Sequence, residues 1–262
     1  MSNPRPAQGR IVWHDLMTTD PKASLAFFTE LVGWKTKEAD MGPMGTYTMF
    51  SAGDRDVGGL MPLETSHGVP SHFIAYIHVD NLDQVLETAT RLGGTVAVPP
   101  TPIPEVGTFA VLVDPLGGVT SPMTMTAVPP EDTEMPKQGM FCWEELMSTD
   151  PEASAKFYQE VYGYTVAPMD MGPYGTYRIL KRGDLAVAGI MKTPPEAPQG
   201  TYWVSYIAAD DVDSTTGRVE KLGGRVLVPP TDIPDIGRFS TVQDPAGTAV
   251  ALFKGAPQIA QT

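Results

Sequence analysis

Two carboxylates stand at matching places in this chain. Asp15 lies in Val12-Trp13-His14-Asp15-Leu16-Met17, and Glu145 lies in Cys142-Trp143-Glu144-Glu145-Leu146-Met147. On an extended strand, residues two apart share a face, so each carboxylate would stand between an indole (Trp13, Trp143) and a thioether (Met17, Met147). An apolar wall with one acidic group can orient a small molecule or accept a proton from it. Asp15 and Glu145 are therefore the candidate catalytic bases. The competing structural reading has the aromatics filling the interior and each carboxylate satisfied by a tyrosine or by backbone donors. Four histidines, His14, His67, His72 and His78, all fall in the first half of the chain. His14 and His72 are the one pair placed to hold a divalent metal. Alternation groups them instead with Leu16 and Ile74, on the face expected to pack against helices.

The same walls gain further candidates from neighbouring segments. Phe73 and Trp203 are expected on the pocket face of the strands that they open. Met61 and Met191 add soft, adaptable surface. Tyr47 and Tyr177 follow the glycine-rich turns Gly42-Pro43-Met44-Gly45 and Gly172-Pro173-Tyr174-Gly175, and each offers an apolar ring with a hydroxyl handle. Arg238 is the basic group on the rim of the second copy, where the first has Thr108. Gly58-Gly59 precedes no helix, which excludes a phosphate-binding loop.

These residues come in pairs because residues 10–124 and 140–254 align without a gap at an offset of 130. Asp40-Met41-Gly42-Pro43 returns as Asp170-Met171-Gly172-Pro173, and Val98-Pro99-Pro100-Thr101 returns as Val228-Pro229-Pro230-Thr231. Such self-similarity marks a duplicated unit. Within each half a fainter repeat appears. A strand at 11–18 leads to Asp20-Pro21, where an N-cap carboxylate and a proline at N1 open a helix. Ala23, Phe27 and Leu31 follow at helical spacing, and Gly33 closes the helix. The strand at 73–80 leads likewise into a helix carrying Leu82, Val85, Ala89 and Leu92, which Gly93-Gly94 stops. Further strands are expected near 46–51, 56–62, 95–98, 107–113 and 118–126. The order strand, helix, three strands thus occurs four times, giving an α+β fold of four βαβββ modules. One domain is expected over 9–127, a Pro-rich linker over 128–138 and a second domain over 139–256.

The modules, the Asp-Pro helix starts, Gly33-Trp34 and the turns Asp114-Pro115-Leu116-Gly117 and Asp244-Pro245-Ala246-Gly247 resemble the vicinal oxygen chelate superfamily. That superfamily holds glyoxalase I, bleomycin-resistance proteins and extradiol dioxygenases. The chain is most similar to its tandem bacterial glyoxalase-like branch, which includes a mycobacterial secreted antigen. The resemblance implies a metal ligand seven residues before the Asp that precedes each helix. Those positions are Trp13, Phe73, Trp143 and Trp203. It implies a second ligand seven residues after the Asp of Asp-Pro-x-Gly, at Ser121 and Ala251. The last strands of modules 1 and 3 carry Val57-Gly58-Gly59-Leu60-Met61 and Val187-Ala188-Gly189-Ile190-Met191. Indole, phenyl and methyl groups cannot ligate a divalent cation. No metal and no other cofactor is expected, with a non-standard divalent site, His14 with His72, as the alternative.

Bulk properties set the remaining bounds. A net charge of −13 repels phosphate backbones and anionic membranes, so neither nucleic acid nor membrane is an expected partner. One cysteine, Cys142, rules out an intrachain disulfide and suits a reducing, cytoplasmic setting, and the first ten residues show no apolar signal segment. A chain that already holds four modules is expected to be monomeric. The leading expectation is a protein that binds a small apolar or aromatic molecule. The alternatives are a lyase, isomerase or hydroxylase, metal-dependent or using Asp15 or Glu145 as base, and a protein-interaction module with filled clefts.

Overall fold

The computed structural model describes residues 7–40, 45–64, 68–129, 135–172 and 175–256. The first half runs β1 (Arg10–Thr18), α1 (Pro21–Val32), β2 (Lys35–Asp40), β3 (Thr46–Ala52) and β4 (Arg55–Pro62), then β5 (His72–His78), α2 (Leu82–Arg91), β6 (Thr95–Ile103), β7 (Gly107–Val113) and β8 (Val119–Met125). The second half repeats it as β9 (Phe141–Ser148), α3 (Pro151–Tyr162), β10 (Thr165–Asp170), β11 (Thr176–Arg182), β12 (Leu185–Lys192), β13 (Tyr202–Ala208), α4 (Val212–Thr216), β14 (Arg225–Ile233), β15 (Gly237–Gln243) and β16 (Ala249–Gly255). The strands form two eight-stranded sheets, ordered β2-β3-β4-β1-β5-β8-β7-β6 and β10-β11-β12-β9-β13-β16-β15-β14. This is the expected four-module α+β fold.

Local chemistry sets the helix ends. Asp20 and Asp150 accept backbone N–H groups in the first turns of α1 and α3, and Gly33 and Gly163 close these helices at φ 78° and 75°. The caps of α2 and α4 lie one residue later than the Asp of the sequence pattern. Asn81 and Asp211 accept from Gln84 N and Ser214 N. The fourth helix is the shortest. Gly217 and the hydroxylated run Ser214-Thr215-Thr216 are poor helix formers, so α4 ends after five residues and a 3-10 turn at Glu220–Leu222 completes the segment. Strand β2 was not located by alternation because it is charged and almost wholly exposed.

The chain divides into two compact units that do not follow the two halves: Met1–Trp13, Ile74–Glu131 and Trp143–Trp203 make one, and His14–Phe73, Asp132–Cys142 and Val204–Thr262 make the other. In the first unit, Ile77, Val79, Leu82 and Val85 of module 2 share a core with Leu146, Phe157, Tyr158 and Tyr162 of module 3. In the other, Leu16, Phe27, Phe28 and Leu31 of module 1 share one with Ile207, Val212, Val242 and Leu252 of module 4. The middle of the Pro-rich linker, residues 130–134, lies outside the described residues.

Candidate functional site

The four N-caps give a common ruler for the first strand of each module. Four residues before the cap stand Leu16, Ile77, Leu146 and Ile207, all buried in the helix-side cores. By alternation, the positions three, five and seven before the cap face away from the helices. These are Met17, His78, Met147 and Ala208; then Asp15, Tyr76, Glu145 and Tyr206; then Trp13, Ile74, Trp143 and Val204. The central position of each set pairs in register with a small residue on a parallel neighbour: Asp15 with Gly59, Tyr76 with Ser121, Glu145 with Gly189 and Tyr206 with Ala251.

This ruler corrects the placement of two candidates. Phe73 and Trp203 stand eight residues before the caps, on the helix side. Phe73 packs against the rings of Phe28, Trp34 and Phe141 with centroids 5.4, 6.3 and 5.4 Å away. Trp203 sits edge-on to Tyr158 at 5.3 Å and donates its indole N–H to that phenol at 3.1 Å. The expectation is one residue out of register because Asp80 and Asp210 read as the helix-opening residues in the sequence, whereas Asn81 and Asp211 cap the helices.

Trp13, Asp15 and Met17, with their copies Trp143, Glu145 and Met147, do lie on the non-helix face. The carboxylates are buried, and each is engaged by the tyrosine that sequence analysis had set over the same region. The Tyr47 hydroxyl donates to Asp15. The Tyr177 hydroxyl donates to Glu145 and accepts the Trp143 indole N–H at 2.8 Å. Glycine makes this geometry possible. A Cβ at Gly59 or Gly189 would overlap the hydroxyl oxygen of Tyr47 or Tyr177. Burial, and next the charge of Glu145, raise the Tyr177 pKa above the ordinary phenol value. That phenol remains a neutral donor across the physiological range. Beside each network lies a cross-strand methionine pair, Met17 with Met61 and Met147 with Met191. Met61 is partly exposed. The turn residues 41–44, 173 and 174, expected near these tyrosines, lie outside the described residues.

Arg238 is not an open anion receptor. Its guanidinium forks onto Asp213, with Nε and Nη2 at 2.6 and 2.8 Å, and Nη1 reaches Asp232 at 2.8 Å. These contacts tie β15 to α4 and β14 and raise the Arg238 pKa further.

The positions that the resemblance implies for a divalent metal hold mostly aromatic, aliphatic and glycine residues. On the first strands the implied places hold Trp13, Phe73, Trp143 and Trp203, with Ile74 and Val204 replacing the second and fourth when counted from the observed caps. On the last strands they hold Ser121 and Ala251, with Gly59 and Gly189 at the matching register of β4 and β12. Ser121 offers the one side-chain oxygen among them, and its hydroxyl donates to the Ala110 carbonyl at 2.9 Å. His14 stacks on Phe141 with ring centroids 3.7 Å apart, and His72 Nδ1 lies 2.8 Å from the Pro70 carbonyl. Burial lowers the His72 pKa, partly offset by that bond. Among the described residues, no three His, Cys, Asp or Glu side chains gather to hold a metal ion. His67 lies outside the described residues.

Sequence reasoning passed over Tyr76 and His78, the module 2 members of the ruler positions. Anchoring on the cap, through the buried aliphatic four residues before it, would have found both.

Comparison with known proteins agrees with this architecture. A protein from Mycobacterium bovis and Mycobacterium tuberculosis named "Putative glyoxylase CFP32" is 33% identical over 255 residues, spanning 96% of this chain and 97% of the relative. The anthracycline biosynthesis protein DnrV of Streptomyces peucetius is 33% identical over 129 residues, 44% of this chain and 47% of its own length. The fold matches that of the Mn(II)-bound glyoxalase from Novosphingobium aromaticivorans, with a TM-score of 0.62 at 16% identity over 95% of this chain and 82% of that one. It also matches 2,2',3-trihydroxybiphenyl 1,2-dioxygenase from Sphingomonas wittichii, with a TM-score of 0.63 at 14% identity over 95% and 90%. The family model described as Glyoxalase/Bleomycin resistance protein/Dioxygenase superfamily matches twice, at residues 10–120 and 143–252, and the chain belongs to that superfamily.

Proposed function

We propose that this chain binds a small apolar or aromatic molecule on the non-helix face of its sheets, without a catalytic metal. One observation carries the reading: in both halves a tyrosine hydroxyl, seated over a glycine, donates to the single carboxylate beside a methionine pair. The network is a fixed polar anchor in an adaptable thioether wall. The phenol donor occupies a carboxylate lone pair that an incoming proton would need, and Tyr177 holds its proton tightly. Both features favour binding over proton abstraction by Asp15 or Glu145. The proposed setting is a monomeric cytoplasmic protein. Among the described residues, no helix is long and apolar enough to cross a membrane.

The test is a titration of the purified protein with naphthalene and 1-naphthol, followed by intrinsic tryptophan fluorescence, with and without EDTA. Saturable binding is expected, unchanged by chelator and weakened about tenfold or more in Met147→Ala/Met191→Ala. Loss of binding on chelation would overturn the metal-free reading. Turnover of a glyoxalase substrate that collapses in Glu145→Gln or Asp15→Asn would favour the enzyme instead. Light scattering tests the monomer.

A further inference from the structure

His78 is a ruler residue whose chemistry the preceding reading leaves unused. It holds in module 2 the place that Met17 and Met147 hold in modules 1 and 3, and its counterpart in module 4 is Ala208. Its neighbour Ile77 points into the helix-side core, so the imidazole lies on the opposite face of β5. There it stands in register with Met123 on β8, which in turn pairs with Phe109 on β7. Tyr76, two residues earlier on the same face, packs its ring 5.7 Å from that of Phe109. His78 is only 5% exposed. Its Nε2 lies 3.5 Å from Asp80 Oδ1, while Nδ1 is buried with no hydrogen-bond partner among the described residues. Burying an unpaired polar nitrogen costs free energy that a native fold seldom leaves uncompensated.

We propose that His78 is a specificity-determining ligand contact of the first half. Asp80 is the positioning residue. With the ring proton on Nε2, the nitrogen that faces Asp80 Oδ1 at 3.5 Å, Nδ1 is an acceptor. The matching ligand group is a donor, a hydroxyl or an N–H, carried on a small aromatic body set against Tyr76, Phe109 and Met123. The second half, with Ala208 at this place, makes no such selection. The proposal rests on the ligand-binding reading above and adds to it a donor group and a difference between halves.

Titration calorimetry compares 1-naphthol with naphthalene, which lacks the hydroxyl, on the full chain and on His78→Ala and His78→Asn. Ala208 shows that the fold carries alanine at the matching place, and an asparagine amide oxygen can stand near the position of Nδ1. At one site, wild type is expected to bind 1-naphthol about tenfold more tightly than His78→Ala does, with naphthalene affinity unchanged. His78→Asn is expected to stay within about threefold of wild type for both probes. In 15N-histidine spectra, the Nδ1 signal that is missing from His78→Ala should move with 1-naphthol and not with naphthalene. Equal 1-naphthol affinity in wild type and His78→Ala, or an Nδ1 signal that ignores 1-naphthol, would overturn the role of His78 while leaving ligand binding intact. Failure of both probes to bind wild type would overturn the ligand-binding reading, and this proposal with it.

Discussion

Where one compact unit packs Phe28, Val32, Trp34 and Phe73, the other packs Tyr158, Tyr162, Tyr164 and Trp203 at positions 130 residues on. The hydrocarbon version is held by ring contacts, with Trp34 stacked on Phe50 at 4.7 Å and Phe28 edge-on to Phe27 and Phe73. The phenolic version gives every hydroxyl a partner. Tyr158 donates to Asp114 at 2.8 Å, Tyr162 bonds Thr120 at 2.7 Å and Tyr164 donates to the Gly9 carbonyl at 2.7 Å. The carbonyl of Gly139, the copy of Gly9, is met by the Trp34 indole N–H at 2.7 Å. Asp244, the copy of Asp114, has no phenol to accept from and takes the Ser24 hydroxyl at 2.5 Å. The comparison teaches that the backbone fixes which polar groups are buried, while the side chains that satisfy them are interchangeable.

The broadest attack on this comparison is alkaline. Burial raises the pKa of Tyr158, Tyr162 and Tyr164. A folded pKa above the unfolded one gives stability that is full below the unfolded value, near 10, and is lost as pH climbs toward the folded value. One pH unit above 10, each phenol should have cost the fold about 1.4 kcal/mol, so roughly 4 kcal/mol for the three. Denaturant unfolding between about pH 9 and 11 should show a decline roughly 4 kcal/mol smaller in Tyr158→Phe/Tyr162→Val/Tyr164→Trp, which copies the other unit, than in wild type, with buried Tyr177 contributing equally to both. An equal decline in both proteins would mean that the cores do not differ in this way.

Single exchanges sharpen the contrast. Tyr158→Phe strips a donor from buried Asp114 and an acceptor from the Trp203 indole, and should cost about 1–3 kcal/mol by urea unfolding at neutral pH. Ser24→Ala leaves Asp244 short of a hydroxyl and should cost about 1–2 kcal/mol. Adding Phe28→Tyr to that variant should recover about half or more of the loss, because the phenol of the other unit shows the required reach. A double variant less stable than Ser24→Ala would break the claim of interchangeability.

The smallest effect concerns acid. Burial raises the Asp244 pKa, opposed by hydrogen bonds from Ser24 and Thr248. With the folded value above the unfolded one, the contribution of this group is full below the ordinary aspartate value and declines as pH rises through the raised value. From about pH 4 to 7, wild type should lose stability relative to Asp244→Asn. Parallel stability profiles for the two proteins would remove burial of this carboxylate as a distinguishing feature.

Much of this arrangement was legible in the residues. The repeat, the Asp-Pro helix starts, the terminating glycines and the shared face of Trp13, Asp15 and Met17 follow from local rules acting over a few residues. The tyrosine pairing of the carboxylates was among the readings available, because a buried acid needs a donor and Tyr47 lies on a neighbouring hairpin. What escaped was anything depending on a one-residue choice or on long-range association. Asp80 and Asp210 mimic caps, which turned Phe73 and Trp203 to the wrong face and hid His78. Arg238 looked open because Asp213, which engages it, lies on a helix whose register was not fixed. The grouping of module 1 with module 4, and of module 2 with module 3, depends on contacts between distant segments that no local pattern encodes.

The glycines beneath Tyr47 and Tyr177 carry an evolutionary consequence. Any side chain placed at Gly59 or Gly189 collides with the phenol, so the phenol has to leave first. Losing the phenol first strips a donor from a buried carboxylate and, in the second half, the acceptor from the Trp143 indole. Each single step is therefore penalised and only the paired change is open, in two places at once. The duplication has turned an ordinary packing fit into a ratchet, and descendants of this chain should drift freely at the rim while these two spots stay shut.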